Sequence, residues 1–414
     1  MTTTPRYALS QDLFDRAASV IPGGIYGSKS PGFSVPGRFP YYFTEGSGCR
    51  IKDADGHEYI DYLCGFGSMI LGFGNPIVDD PAIEQLRKGD LLNQPGPAMV
   101  ELAERLTALI DGMDWAVFAK NGTDATTLAV SLSRVHTGKP YVLMAQGAYH
   151  GSANWCSSNA YPVLRDKDEV RLFPYGDVAA LQALFDELRG QVAAVILTPY
   201  HHATWAPQQM PPAGWHEAVR RLCDEESAFF IMDDIRANFR LNLHGSHRAM
   251  GAKPDFVCMG KSLANGYPIG ALMGTEELKK TASNFFITGT FWTSTVPYVA
   301  SLACLNEMER LDVVSHVQAM GARLKQGLIK AGMEAGYNIS CTGPDAIPFM
   351  TFDDDADMWH NQEFSAQMAT RGVYLHPHHN WFLSYAHKES DIDETLEKAA
   401  ESFQEVKKAF QGEF

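Results

Sequence analysis

The chain is predicted to be an α/β protein built on a mixed, mainly parallel sheet. Between about residues 80 and 300, short apolar runs alternate with amphipathic stretches, the pattern of parallel strands joined by helical crossovers. One of these runs, AFFIMDDIRANFR (228–240), is apolar throughout until it stops abruptly at two acids, as a buried strand does at its end. With 414 residues, 45% hydrophobic and 20% charged, the chain has ample length for a large core and ordinary globular composition.

Strands are expected at Trp115–Ala119, Tyr141–Ala145, Ala193–Leu197, Ala228–Met232, Asp255–Met259 and Ile269–Met273, all short and apolar. Helices are expected at 99–111, 122–136, 178–188, 214–225 and 297–309, where apolar residues recur at three- and four-residue spacing. The ends read differently. Gly and Pro recur through 20–50, so that stretch cannot be one long helix. From 310 onwards, helical stretches alternate with brief strands near 348–352, 373–376 and 382–386, before a charged helix from about 391 to 409. Residues 1–65 and 306–414 are therefore expected to build a smaller α+β domain around a large domain at 66–305.

Charge and cysteine usage narrow the partners. With 34 Lys and Arg against 49 Asp and Glu, the net charge of −15 opposes nucleic acid and anionic membranes and favours small-molecule partners. The seven cysteines are scattered with no Cys-x-x-Cys pair, which suits a reducing compartment. The first residues lack the pattern of a signal peptide, and no apolar run approaches the ~20 residues of a membrane span. A cytoplasmic location is expected. Three signals are set aside. GFGSMILGFG (65–74) lacks the third glycine of a dinucleotide loop, DDDAD (353–357) reads as a solvated turn, and His376, His378 and His379 lack the carboxylate or cysteine needed to complete a metal site. No metal is expected.

The chemistry gathers at strand ends, where an α/β sheet places its ligand groups. Asp233 closes one apolar strand, and Lys261 follows another in a Gly- and Ser-rich turn, GKSLANG. A carboxylate and a lysine on neighbouring strand ends suit pyridoxal phosphate: the lysine forms the Schiff base and the acid keeps the pyridine nitrogen protonated. A phosphate cradle is expected where a strand runs through Asn121-Gly122-Thr123 into a helix, offering backbone N–H groups and a hydroxyl. After the next strand comes Tyr149-His150-Gly151, so Tyr149 could cover one face of the ring and Ile235 the other.

These pieces, in this order, resemble the class III aminotransferases of fold type I, and within them the glutamate-1-semialdehyde aminomutase-like branch. The resemblance spans nearly the whole chain, from RAASVIPGG (16–24) and GCRIKDADGHEYIDY (48–62) through KNGTDATT, AYHG, DDIRANFR and GKSLANGYPIGALMG to FLSYAHKESDIDETLE (382–397). It implies that Lys261 is the Schiff-base lysine, Asp233 the pyridine-nitrogen partner, Gly122 and Thr123 phosphate ligands, and Tyr149 and Ile235 the ring sandwich. Thr290 matches a threonine that reaches the phosphate of a second subunit, which implies a homodimer with shared active sites.

Departures from the family pattern bear on the substrate. The chain has Asp233-Asp234-Ile235 for the usual Asp-Glu-Val, Thr198 for a glutamate before proline, and HPHHNWFLSYAH (376–387) where aminomutases carry a different segment. The pattern is most similar to the subgroup of fumonisin-degrading aminotransferases. It implies a transaminase that passes an amino group from an amine to a 2-oxo acid such as pyruvate, through a pyridoxamine phosphate form. An aminomutase, a racemase or epimerase, and a non-catalytic binding module remain as alternatives. The resemblance assigns the substrate wall to Tyr26, Ser28, Phe66, His378 and Trp381, an aromatic and weakly polar set suited to an apolar or hydroxylated amine chain. The acceptor's carboxylate needs a cation, for which Lys29 or Arg38 are the nearest candidates.

Overall fold

The computed structural model describes residues 6–26, 30–156, 169–202 and 205–410, and their contacts form two compact units. The terminal unit takes in the chain up to Asn75, a short piece ending at Pro207, and the chain from His316 onwards; the large unit begins at Pro76 and ends at Ser315. Both joins fall later than 65 and 305. The turn after residue 63 packs inside the terminal unit, where a Cβ on Gly67 would lie 2.6 Å from the Phe382 ring. The helix Val296–Arg310 packs instead on the helices Pro76–Lys88 and Ala98–Leu109 of the large unit.

The terminal unit opens with an antiparallel meander of β1 (Phe43–Ser47), β2 (Arg50–Asp53) and β3 (Glu58–Asp61). Every residue of β1 is exposed, so nothing in its sequence marks it as a strand; its pairing with β2 makes it one.

The large unit is built on β4 (Trp115–Ala119), β5 (Tyr141–Ala145), β6 (Val170–Phe173), β7 (Val192–Leu197), β8 (Phe229–Asp233), β9 (Phe256–Met259) and β10 (Gly270–Gly274), in spatial order β4-β10-β9-β8-β7-β5-β6. β10 runs antiparallel to both of its neighbours and the remaining pairs are parallel, giving the mixed, mainly parallel sheet expected. Every residue of β7, β8 and β9 is buried, which explains their continuous apolar sequence. β8 lies in the middle of the sheet, and the chain leaving it enters the loop that holds the candidate site.

Back in the terminal unit, β11 (Ile339–Thr342) and β12 (Phe349–Phe352) form a hairpin, and β13 (Val373–Tyr374) joins β3 in parallel. The strand expected at 382–386 does not form. Its N–H groups go to different segments, Phe382 to the Tyr62 carbonyl, Leu383 to Ala346 and Tyr385 to Ile70, so no single ladder can develop. The run 353–357 is a turn at the end of β12, and the final helix spans Glu389–Phe410.

One close approach fixes the turn before the helix Gly122–Thr137. A Cβ at Gly270 would lie 2.5 Å from the Asn121 carbonyl oxygen, so only a residue without a side chain lets β10 run beside that turn. Gly270→Ala is expected to destabilise the fold by about 1–3 kcal/mol, the usual cost of overpacking against backbone. Thermal denaturation checks this; melting superimposable on the wild type would show that the turn yields at no cost.

Candidate active site

Asp233 ends β8 with its side chain buried. Its Oδ2 lies 2.7 Å from His150 Nδ1, and its Oδ1 accepts the Ile235 N–H at 3.3 Å. A carboxylate can only accept, so the imidazole proton sits on Nδ1 between the two groups. His150 is fixed in turn, because its carbonyl accepts from Thr126 Oγ1 at 2.8 Å. Asp234, the next residue, has a different task. Its N–H donates to the Cys258 carbonyl and its Oδ2 accepts the Ser246 N–H at 2.9 Å, so it ties β8 to the following chain. Burial, with the Asp233 charge adding to it, pushes the Asp234 carboxyl up to about 7.

Lys261 stands one strand away. Asp233 is in register with Cys258 of β9, and Lys261 follows the end of that strand in a single 3-10 turn, Lys261–Ala264. Its φ of 45° is in the left-handed region, a conformation that costs a lysine free energy and that the surrounding structure has to enforce. Arg240, fully buried, supplies part of that hold by donating to Ser262 Oγ, which itself donates to the Asn238 carbonyl at 3.3 Å.

The helix Gly122–Thr137 points its N-terminus at the same place. Asn121 and Asp124 form a capping box that uses the Asp124 N–H and leaves those of Gly122 and Thr123 outside the cap. Ile235 links the pieces. A Cβ on Gly122 would lie 2.6 Å from its Cδ1, and one on Gly260 would lie 3.4 Å from its Cγ2. On the other side, a Cβ on Gly151 would meet Thr123 Oγ1 at 2.5 Å. Gly122, Thr123, His150, Asp233, Ile235 and the Lys261 turn thus form one circuit of contacts inside the large unit. The donor set fits pyridoxal phosphate: helix N–H groups for a phosphate, a buried carboxylate for a ring nitrogen, a primary amine for a carbonyl, and glycines where any Cβ would fill the cradle.

Tyr149 is 58% exposed, which leaves its ring surface open to a ligand. Thr290 is exposed in the 3-10 turn Thr290–Thr293, outside the circuit. Of the residues assigned to the substrate wall, Tyr26, Phe66, His378 and Trp381 lie in the terminal unit. Tyr26 is exposed, Phe66 is half-buried in a turn where Cys64, Gly65, Phe66 and Gly67 all have positive φ, and Ser28 is outside the described residues. His378 is buried under Trp205, whose ring stacks on it at 3.4 Å. Trp381 is fully buried, donates Nε1 to the His376 carbonyl and packs edge-on against Phe349. The aromatic surface there belongs to Trp205, half-exposed, which sequence reasoning passed over. It also passed over His150, visible only as the neighbour of Tyr149, and over Tyr200, His201 and Arg236. Burial and the nearby His150 lower the pKa of His201, and Arg236 lies within electrostatic reach of Asp233, Tyr149 and Tyr200. Arg38, a candidate for the acceptor's carboxylate, is engaged elsewhere, forking onto Glu363 at 3.1 and 3.0 Å.

Residues 34–406 match the family model described as aminotransferase class-III. The chain is 38% identical to an aminopentol aminotransferase of Sphingopyxis macrogoltabida, over 97% of this chain and 95% of that protein. It is 34% identical to a 3-aminobutyryl-CoA aminotransferase of Cloacimonas acidaminovorans, over 97% and 98% respectively. Among solved structures, the PLP internal aldimine form of the FumI protein of Sphingopyxis sp. MTA144 superimposes with a TM-score of 0.95 at 38% identity, covering 97% of each chain.

The raised pKa of Asp234 has a consequence for stability. An unfolded aspartate releases its proton near the ordinary carboxyl value and the folded one only near about 7, so the folded protein holds the extra proton between the two. Its contribution therefore falls as pH rises through that window. Asp234→Asn keeps an acceptor for the Ser246 N–H and removes the buried charge, so its melting temperature is expected to gain on the wild type above about pH 7 and to lose that gain in acid. Melting curves against pH check this; a pH-independent difference would place the raised pKa elsewhere.

Proposed function

Because the chain belongs to the class-III aminotransferase family and is thereby a pyridoxal phosphate-dependent transaminase, we propose that it passes an amino group from an amine with an apolar or hydroxylated chain to a 2-oxo acid such as pyruvate. The observation that carries the reading is the buried Asp233 carboxylate, held by His150 on β8, beside the strand that ends in Lys261. When bound, pyridoxal phosphate supplies a carbonyl for the amino group and a ring that accepts an electron pair.

The chain's own residues do the rest. Gly122 and Thr123 hold the phosphate at the positive end of their helix, and Tyr149 and Ile235 cover the two ring faces. Asp233 holds a proton at the ring nitrogen, with His150 keeping the carboxylate in place. Lys261 would supply the primary amine that holds the cofactor's carbonyl carbon, and, when free, the base for the proton that moves in the transfer.

The amine donor is supported by the likeness to an aminopentol aminotransferase and by the lack of any arginine in 376–387. Phe66, Tyr26 and Trp205 give the terminal unit an aromatic surface to offer such a chain. We further propose a homodimer in which Thr290 of each chain reaches the phosphate of the other. The exposure of Thr290 together with Phe286 and Phe291, 87% and 66% exposed, supports this surface as the one that pairs. A cytoplasmic location is supported by the absence of disulfides among the described cysteines. Among the described residues no helix is long and apolar enough to cross a membrane.

The test is a panel of amines and amino acids with pyruvate, read as alanine formed and as kcat/KM. Amine-dependent alanine is expected, with a simple amine ahead of glutamate and the β-amino acids. Turnover without any acceptor would instead indicate an aminomutase, racemase or epimerase. Lys261→Ala is expected to fold, to lose the visible absorbance of the lysine-bound cofactor and to retain less than about a thousandth of the activity without added amine. Higher residual activity would assign the amine to another residue.

A further inference from the structure

Asp90 lies in the loop after the helix Pro76–Lys88, 204 residues before Ser294 in the chain. Its carboxylate accepts from Ser294 Oγ with both oxygens, at 2.7 and 2.8 Å, and from the Val296 N–H at 2.8 Å. Its own carbonyl accepts the Thr295 N–H at 3.1 Å. One residue thus grips three consecutive ones, all inside the large unit.

The helix Val296–Arg310 accounts for only part of this. Thr295 makes no side-chain cap, Pro297 has no N–H, and the N–H groups of Tyr298 and Val299 go to the Thr295 carbonyl, so Val296 is the one left for Asp90. A cap explains that bond alone. The bonds to Ser294 and Thr295 act earlier, on the chain that joins the helix to the 3-10 turn Thr290–Thr293. Trp292 secures that turn from within. Its ring packs against the core that holds Trp115 and Phe256, a Cβ on Gly289 would lie 2.5 Å from its Nε1, and its carbonyl accepts from Tyr298 Oη. The Tyr298 ring lies 5.2 Å from that of Phe118, on the strand that runs to Asn121-Gly122-Thr123.

Thr290 is exposed although the chain behind it is fixed at both Trp292 and Ser294. A hydrogen bond weakens steeply away from its proper distance and angle, so a hydroxyl offered to another subunit works only from a rigid backbone. Leu91 and Leu92, next to Asp90 in the chain, and Phe291, next to Thr290, are exposed as well, so the Asp90 tie joins two stretches that present apolar side chains to the outside. We propose that Asp90 is a positioning residue for the cofactor phosphate of a second subunit: by fixing Ser294, Thr295 and Val296 it sets the Thr290 hydroxyl where that phosphate needs it. The proposal rests on the pairing in which Thr290 reaches the phosphate of the other chain.

The test reads the dissociation constant of pyridoxal phosphate from the holoenzyme by its visible absorbance, with the dimer followed by sedimentation. Thr290→Val and Asp90→Ala are each expected to raise the constant about tenfold with the dimer intact, and Asp90→Asn, which keeps an acceptor oxygen, about threefold or less. Combining Asp90→Ala with Thr290→Val is expected to give the constant of Thr290→Val alone, because Asp90 acts through that hydroxyl. Should Asp90→Ala fail to fold, Ser294→Ala, which leaves the bond to Val296 in place, enters the same comparison. A weakened Thr290→Val beside an Asp90→Ala whose melting temperature falls while its constant stays unchanged overturns the role of Asp90 and leaves the pairing. Effects that multiply in the double variant, or a rise seen only as the dimer dissociates, do the same. Unchanged retention in Thr290→Val overturns the pairing, and the proposal with it.

Discussion

Burying a carboxylate at the end of a central strand is expensive unless the fold supplies donors and holds them still. Asp233 receives two, the Ile235 N–H from the chain that leaves its own strand and His150 Nδ1 from the loop after β5. The second contact ties distant parts of the sequence. It draws the Tyr149 loop over the sheet, where the His150 carbonyl accepts from the helix that begins at Gly122. With His150 in place the carboxylate has one position, and everything a pyridine ring would need can be built around it. The neighbouring Asp234 shows the contrast. It is buried as deeply, but its carboxylate turns to Ser246 and its N–H to the Cys258 carbonyl, and it serves as a tie between β8 and the chain beyond.

Around that carboxylate the site is assembled by close approaches that side chains would block. Gly122 lets Ile235 reach the helix start, Gly151 comes up to Thr123, and Gly270 lets β10 run beside Asn121. Lys261 is held in a left-handed conformation at the end of this chain of contacts. Backbone strain and close packing together fix the lysine turn beside the strand end that carries Asp233.

Much of this was legible in the sequence because buried parallel strands read as unbroken apolar runs. β7, β8 and β9 announce themselves, and their terminal polar residues stand out against them, so Asp233 and Lys261 could be named without coordinates. The helix start after Asn121-Gly122-Thr123 was equally plain, and the reciprocal cap of Asn121 with Asp124 came only with the structure. Features set by tertiary pairing were not legible. β1 is polar and exposed, the run at 382–386 looks like a strand but divides its hydrogen bonds among separate partners, and Trp381 is apolar enough to suit either a pocket or a core. His150 was hidden for another reason: it matters through the carboxylate it faces, and Asp233 is 83 residues away in the chain.

The central claim is that the fold holds Asp233 as the partner of a protonated ring nitrogen. Reconstitution with pyridoxal phosphate carrying 15N in the ring, followed by NMR, reads that nitrogen directly. The account predicts a pyridinium shift that persists from mildly acid to alkaline pH, well beyond the point at which the free cofactor loses the proton. A neutral-pyridine shift in folded, active enzyme at neutral pH would contradict it.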